Sequence, residues 1–307
     1  MVSFDLNGWL AGQVICKLFV YFGAAVASGG MFCLWLTPSA QSLISVVKKY
    51  FLVAILLALL ASILGFFLKV GYLAESGIGG MFDRLYMTIL WGSSVGSSTA
   101  WQIGGFSLLL LGCFCLIGDT HLSNNRTKGR WFTYLISMLF GLGSVIVVSS
   151  IAIVGHAASI DLVAQIGIGL HVFAGLWWLG SLVPLQLACS RLSVQPLQQL
   201  MHRFSQVAVG IVLLLMVSGG WVAWQLFASL TELFTTNYGR IFLIKICLVI
   251  GLLSLALWHK ARLVPRLLQS PKTAEQLMHS IRIETVIGMA LLIATAILTT
   301  VVGPSHV

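Results

Sequence analysis

Three of the chain's seven histidines could act together. His156 stands in Gly155-His156-Ala157-Ala158-Ser159, His171 opens the run His-Val-Phe-Ala-Gly-Leu-Trp-Trp-Leu-Gly180, and His306 is the next-to-last residue. Imidazole nitrogen is a ligand for copper, zinc, iron and nickel, and three such nitrogens make a workable metal site. His171 lies inside an apolar run. A polar side chain is costly in such a place, so it is a functional hypothesis by default.

The remainder of the chain must hold these residues in lipid. Of its 307 residues 59% are hydrophobic and 8% charged, with a mean hydropathy of +1.01. A soluble domain carries about 25% charged residues. Apolar runs of about 20 residues recur, each long enough to cross roughly 30 Å of hydrocarbon as a helix. They are continuous rather than alternating, which favours helices over a barrel. The expected fold is all-α: one integral membrane domain over 1–307, a bundle of eight spans. The spans are expected near 12–36, 50–72, 101–118, 131–154, 166–189, 204–227, 239–259 and 282–303. Ala25-Val-Ala27 mimics a signal cleavage site, but no basic residue precedes Lys17 and the run continues through Trp35, so it reads as a true span.

The net charge of +9 does not indicate nucleic acid. Twelve of the 17 basic residues sit on alternate connections: Lys48, Lys49, Arg126, Lys128, Arg130, Arg191, Arg203, Lys260, Arg262, Arg266, Lys272 and Arg282. That is the positive-inside pattern. It makes those loops cytoplasmic and places both termini outside, in the periplasm of a two-membrane bacterium. The outer connection over 73–100 is long enough for a short interfacial or re-entrant helix.

This topology sorts the histidines. His121, His202, His259 and His279 fall on the basic side, where solvated or interfacial imidazole is expected. His156, His171 and His306 fall on the opposite side, with His171 one to two turns inside span 5. Trp178 is seven residues from His171 and shares its face. Gly175 and Gly180 leave room for a neighbouring helix, and Trp177 is expected toward lipid. Lys245 in span 7 and Glu284 in span 8 are charges within or beside spans. Either tunes a pathway or holds the bundle, with Glu284 read as an interfacial ion pair beside Arg282.

Sulfur is available but weakly placed. Cys16, Cys33, Cys113, Cys115, Cys189 and Cys247 all fall in apolar runs and read as buried thiols rather than disulfides. Met81 and Met87 in the outer connection are soft-ligand candidates. No phosphate-binding Gly-rich loop, nucleophile elbow or paired-carboxylate site is present, so the chain reads as non-enzymatic.

The motifs from 155 to 306 resemble the CopD/PcoD family of copper-resistance membrane proteins. The resemblance is carried by Gly155-His156-Ala157, His171 through Gly180, Arg203-Phe204-Ser205 with Ser218-Gly219, Tyr238-Gly239-Arg240 with Leu243 and Lys245, and Arg282-Ile283-Glu284 leading to Gly303-Pro304. The first 150 residues match only in span number and character. Ser181 departs from the pattern, where family members often have a second glycine. The resemblance implies an eight-span inner-membrane protein that moves copper from periplasm to cytoplasm, often beside a CopC-type periplasmic copper-binding protein. It makes His156 and His171 the metal contacts, supported by Trp178 and Gly180; His306 is added from topology alone. Two rival readings remain: a haem-binding redox protein, and an anchor for a periplasmic copper carrier that transports nothing.

Overall fold

The computed structural model describes residues 8–37, 41–118, 126–154, 162–226, 231–268 and 272–301. Those residues form helices and turns, with no strand among them. Eight helices are long and apolar enough to cross a bilayer: span 1 Gly8–Leu36, span 2 Leu43–Ala74, span 3 Ser94–Gly118, span 4 Trp131–Ala152, span 5 Leu162–Arg191, span 6 Val194–Leu226, span 7 Asn237–Arg266 and span 8 Lys272–Thr300. A helix satisfies every backbone N–H and C=O within its own segment, as hydrocarbon demands.

Several spans begin earlier than hydropathy suggests. Span 3 starts at Ser94 rather than 101, span 6 at Val194 rather than 204, and span 8 at Lys272 rather than 282. Their first turns are polar, yet the backbone coils through them. Hydropathy marks the lipid-matched part of a helix and is blind to the wetted turns that extend it.

The interior lies among spans 1, 2, 3, 4, 5 and 8, around fully buried Val26, Phe51, Ile55, Phe106, Leu109, Val147 and Ile281. Lipid tails are as apolar as leucine, so helix contact must come from close packing rather than from hydrophobic burial. Spans 3 and 4 achieve it through glycine: a Cβ on Gly105 would lie 3.1 Å from the Gly143 carbonyl oxygen, and one on Gly143 would lie 3.0 Å from that of Gly105. Spans 6 and 7 stand at the rim. Leu213, Val217, Trp224, Ile250 and Leu257 point outward, as expected of side chains that meet lipid.

A 3₁₀ turn, Ile78–Phe82, and a short helix, Arg84–Trp91, occupy the long connection between spans 2 and 3. Asp83 caps this helix, its carboxylate accepting from the N–H groups of Leu85 at 2.9 Å and Tyr86 at 3.1 Å. Leu85, Ile89 and Trp91 remain exposed on it. That apolar face suits a helix lying in the interface.

Span 1 contains a π turn at Val26–Gly30. Such turns widen a helix locally and often mark functional places. Here it lies against the middle of span 5. A Cβ on Gly29 would collide with the carbonyl oxygen of Trp177, and one on Gly180 with that of Ala25. The two backbones therefore touch over Ala25–Gly29 and Trp177–Ser181, and only glycine fits at both contacts.

Candidate metal-binding site

His171 belongs to span 5, nine residues beyond Leu162, so it lies roughly 13–14 Å along the helix at 1.5 Å per residue. That is deeper than one to two turns, because span 5 begins before residue 166. Its side chain is part-buried and turned toward span 6. The ring Nδ1 lies 3.2 Å from the Leu215 carbonyl oxygen. A carbonyl can only accept, so this bond requires the proton on Nδ1. The neutral ring then keeps its lone pair on Nε2. Metal-bound histidines are commonly oriented this way, with the second nitrogen donating to a carbonyl.

Span 6 is shaped to receive the ring. A Cβ on Gly219 would lie 2.7 Å from the His171 Cε1 and 2.9 Å from its Nδ1. Ser218 turns its hydroxyl back to its own helix, donating to the Leu214 carbonyl at 2.5 Å. The His171 and Ser218-Gly219 motifs, 47 and 48 residues apart in sequence, thus meet at one place. Lys245 of span 7 is half-buried and close enough for its charge to act on His171.

Trp178 is buried below His171. Trp177 is buried too, contrary to the expectation that it faces lipid. It stacks on Phe204 with ring centroids 5.3 Å apart and planes within 2°, and its ring lies 4.9 Å from that of Phe32. The register explains the difference: spans 1 and 6 flank span 5, leaving no lipid-facing side at this level. Ser181 is fully buried and donates to the Trp178 carbonyl at 2.6 Å.

His156 and His306 lie outside the described residues, as does His121. Among the described residues, no group of three His, Cys, Asp or Glu side chains is close enough to hold a metal ion. All six cysteines are free thiols; four are buried, Cys115 is part-buried and Cys247 is exposed.

Glu284 is a buried member of an ion pair. It is 3% exposed, and the ion-pair distance it makes is to His259 of span 7, 3.5 Å from Nδ1 to Oε1. His259 in turn is only 11% exposed, and its Nε2 lies 2.6 Å from the Ser280 hydroxyl. Sequence reading missed His259 because it stands next to Lys260 at the end of an apolar run. Its only signal was a partner carboxylate on the following span. A second polar cluster joins spans 1, 2 and 8. Lys17 donates to the Thr299 carbonyl at 3.2 Å, and Lys69 lies near enough to feel its charge.

Two family profiles match the chain: "Copper resistance protein D-like, N-terminal domain" over residues 6–165 and "Copper resistance protein D" over 198–298. The chain belongs to the copper resistance protein D family. The match extends through the first 150 residues, where the motifs gave no specific sign. Among curated proteins it is similar to "Copper transport protein CutJ" of Bacillus subtilis (strain 168), with 29% identity over 239 residues, 75% of this chain. The chain spans 41% of that relative's length. No solved structure matches.

Proposed function

We propose that this chain carries copper ions inward across a bacterial inner membrane, receiving them on His171 at the end of the bundle whose loops are poor in lysine and arginine. The observation that carries the reading is the held imidazole. A histidine inside a span donates from Nδ1 to a helix carbonyl, with a glycine against its face, so that Nε2 is left as a ligand. Membership of the family and the name of the bacterial relative supply the metal. His156 and His306, on the same side by the charge pattern, are proposed as further copper contacts.

In this reading Trp178 and Gly180 fix span 5 against span 1, and Lys245 discourages a cation from lingering at His171. Copper is the cargo. The proposed donor is a CopC-type periplasmic copper-binding protein. The test is copper accumulation in cells expressing His171→Ala at wild-type protein level. Accumulation should fall to that of cells lacking the protein; accumulation equal to wild type would refute His171 as the receiving ligand.

A further inference from the structure

The strongest unassigned cluster lies at the other end of the bundle, between spans 7 and 8. His259 opens a π turn, His259–Leu263, in span 7. Glu284 and Ser280 lie one helical turn apart on span 8 and so share a face. Both reach the same ring: Ser280 Oγ lies 2.6 Å from Nε2, and Glu284 Oε1 lies 3.5 Å from Nδ1.

That second distance is informative. An N–H···O hydrogen bond spans about 2.7–3.2 Å, so the two atoms stand apart. Glu284 Oε1 is buried and has no hydrogen-bond partner. A buried carboxylate oxygen without a partner is strongly unfavourable, and such an atom calls for an ion or water. Two ligands held about 2.0–2.2 Å from one tetrahedral ion are separated by roughly 3.4 Å. The observed gap therefore suits two donors of one ion better than a direct bond. The Ser280 hydroxyl, on the far nitrogen, would accept from Nε2–H and aim Nδ1 into the gap, the usual outer support of a metal-bound histidine. The π turn is a separate sign, since these turns cluster at functional places.

We propose that His259 and Glu284 form a second cation site, taking one divalent first-row transition ion through Nδ1 and Oε1, with Ser280 as positioning residue. Nitrogen with carboxylate is a donor set for divalent ions and lacks the sulfur that suits Cu(I). Arg262 and Leu263 of the same turn line a cleft of about 480 Å³ with Trp258, Arg266 and Gln276; the three site residues do not line it. Its exposed arginines weaken retention of a cation, but solvent screens their charge over about 8 Å. Only the role of this site as a station on the copper route rests on the transport reading; its ligand chemistry does not.

The experiment is a Co(II) titration of the full chain in lipid nanodiscs, followed by the visible d–d absorption of tetrahedral cobalt. Wild type and His171→Ala should both show the band. In the His171→Ala background, which removes the outer imidazole ligand, His259→Ala and Glu284→Gln should lose it, and Ser280→Ala should weaken Co(II) affinity about 10–100-fold. Ser280→Ala removes one hydroxyl and keeps the ligands, so it answers the question if the ligand variants do not fold. A band absent from wild type, or unchanged in Ser280→Ala and Glu284→Gln in that background, would overturn the site, as would a pH-dependent effect of these variants without metal binding. Copper accumulation in cells separates the two readings. If His171→Ala abolishes it while the cobalt band is absent from wild type, the second site fails and the transport reading stands.

Discussion

Gly219 of span 6 lies directly against the imidazole of His171 in span 5, so close that a Cβ there would sit 2.7 Å from Cε1. The glycine leaves the room in which Nδ1 reaches the Leu215 carbonyl. Gly219→Ala must therefore push the ring away or open the contact between the spans. Loss of such an outer support commonly costs about 10–100-fold in metal affinity. Copper accumulation at limiting copper should fall toward that of His171→Ala, at unchanged protein level. Gly210→Ala on the same span meets nothing within 4 Å and should leave accumulation unchanged.

Gly180 and Gly29 allow the contact between spans 1 and 5, where added Cβ atoms would strike backbone rather than movable side chains. Overpacking typically costs about 1–3 kcal/mol. Gly180→Ala should lower the thermal unfolding temperature of the purified protein by several degrees. Gly104→Ala and Gly141→Ala, which face open space, should not. Equal melting of all four proteins would mean the contact is looser than described.

Trp177 lies between Phe32 and Phe204, and stacked aromatic pairs contribute about 0.5–1.5 kcal/mol beyond the area they bury. Trp177→Leu should destabilise more than Trp224→Leu, because Trp224 is 84% exposed on the rim of span 6. Chemical unfolding in detergent would compare the two directly.

Asp83 accepts two backbone hydrogen bonds at the start of the Arg84–Trp91 helix. Asp83→Ala should cost about 0.5–2 kcal/mol of local helix stability, and Asp83→Asn much less. Amide hydrogen exchange should quicken at Leu85 and Tyr86 in the alanine variant alone.

Much of this architecture was legible in the sequence. The apolar runs located all eight spans, because hydrocarbon thickness dictates their length. A short helix, interfacial or re-entrant, was also expected in the connection over 73–100 because of its length, and Arg84–Trp91 is helical. Trp177 and His259 were not legible. Trp177 is buried because spans 1 and 6 flank span 5, and periodicity in one helix says nothing about how many neighbours it has. His259 stands beside Lys260, so its local sequence suggested a wetted end; its burial comes from Ser280 and Glu284, 21 and 25 residues away. Gly219 stands in one family-like motif and His171 in another, but contact between two motifs is a property of packing, not of spacing.

Whether His171 passes copper through the bundle can be read from flux into liposomes. The purified chain would be reconstituted, loaded outside with copper, and the copper trapped inside measured over time for wild type and His171→Ala at matched incorporation. Copper should enter with wild type, and none above protein-free liposomes should enter with His171→Ala. Equal flux through both proteins would contradict passage by way of His171.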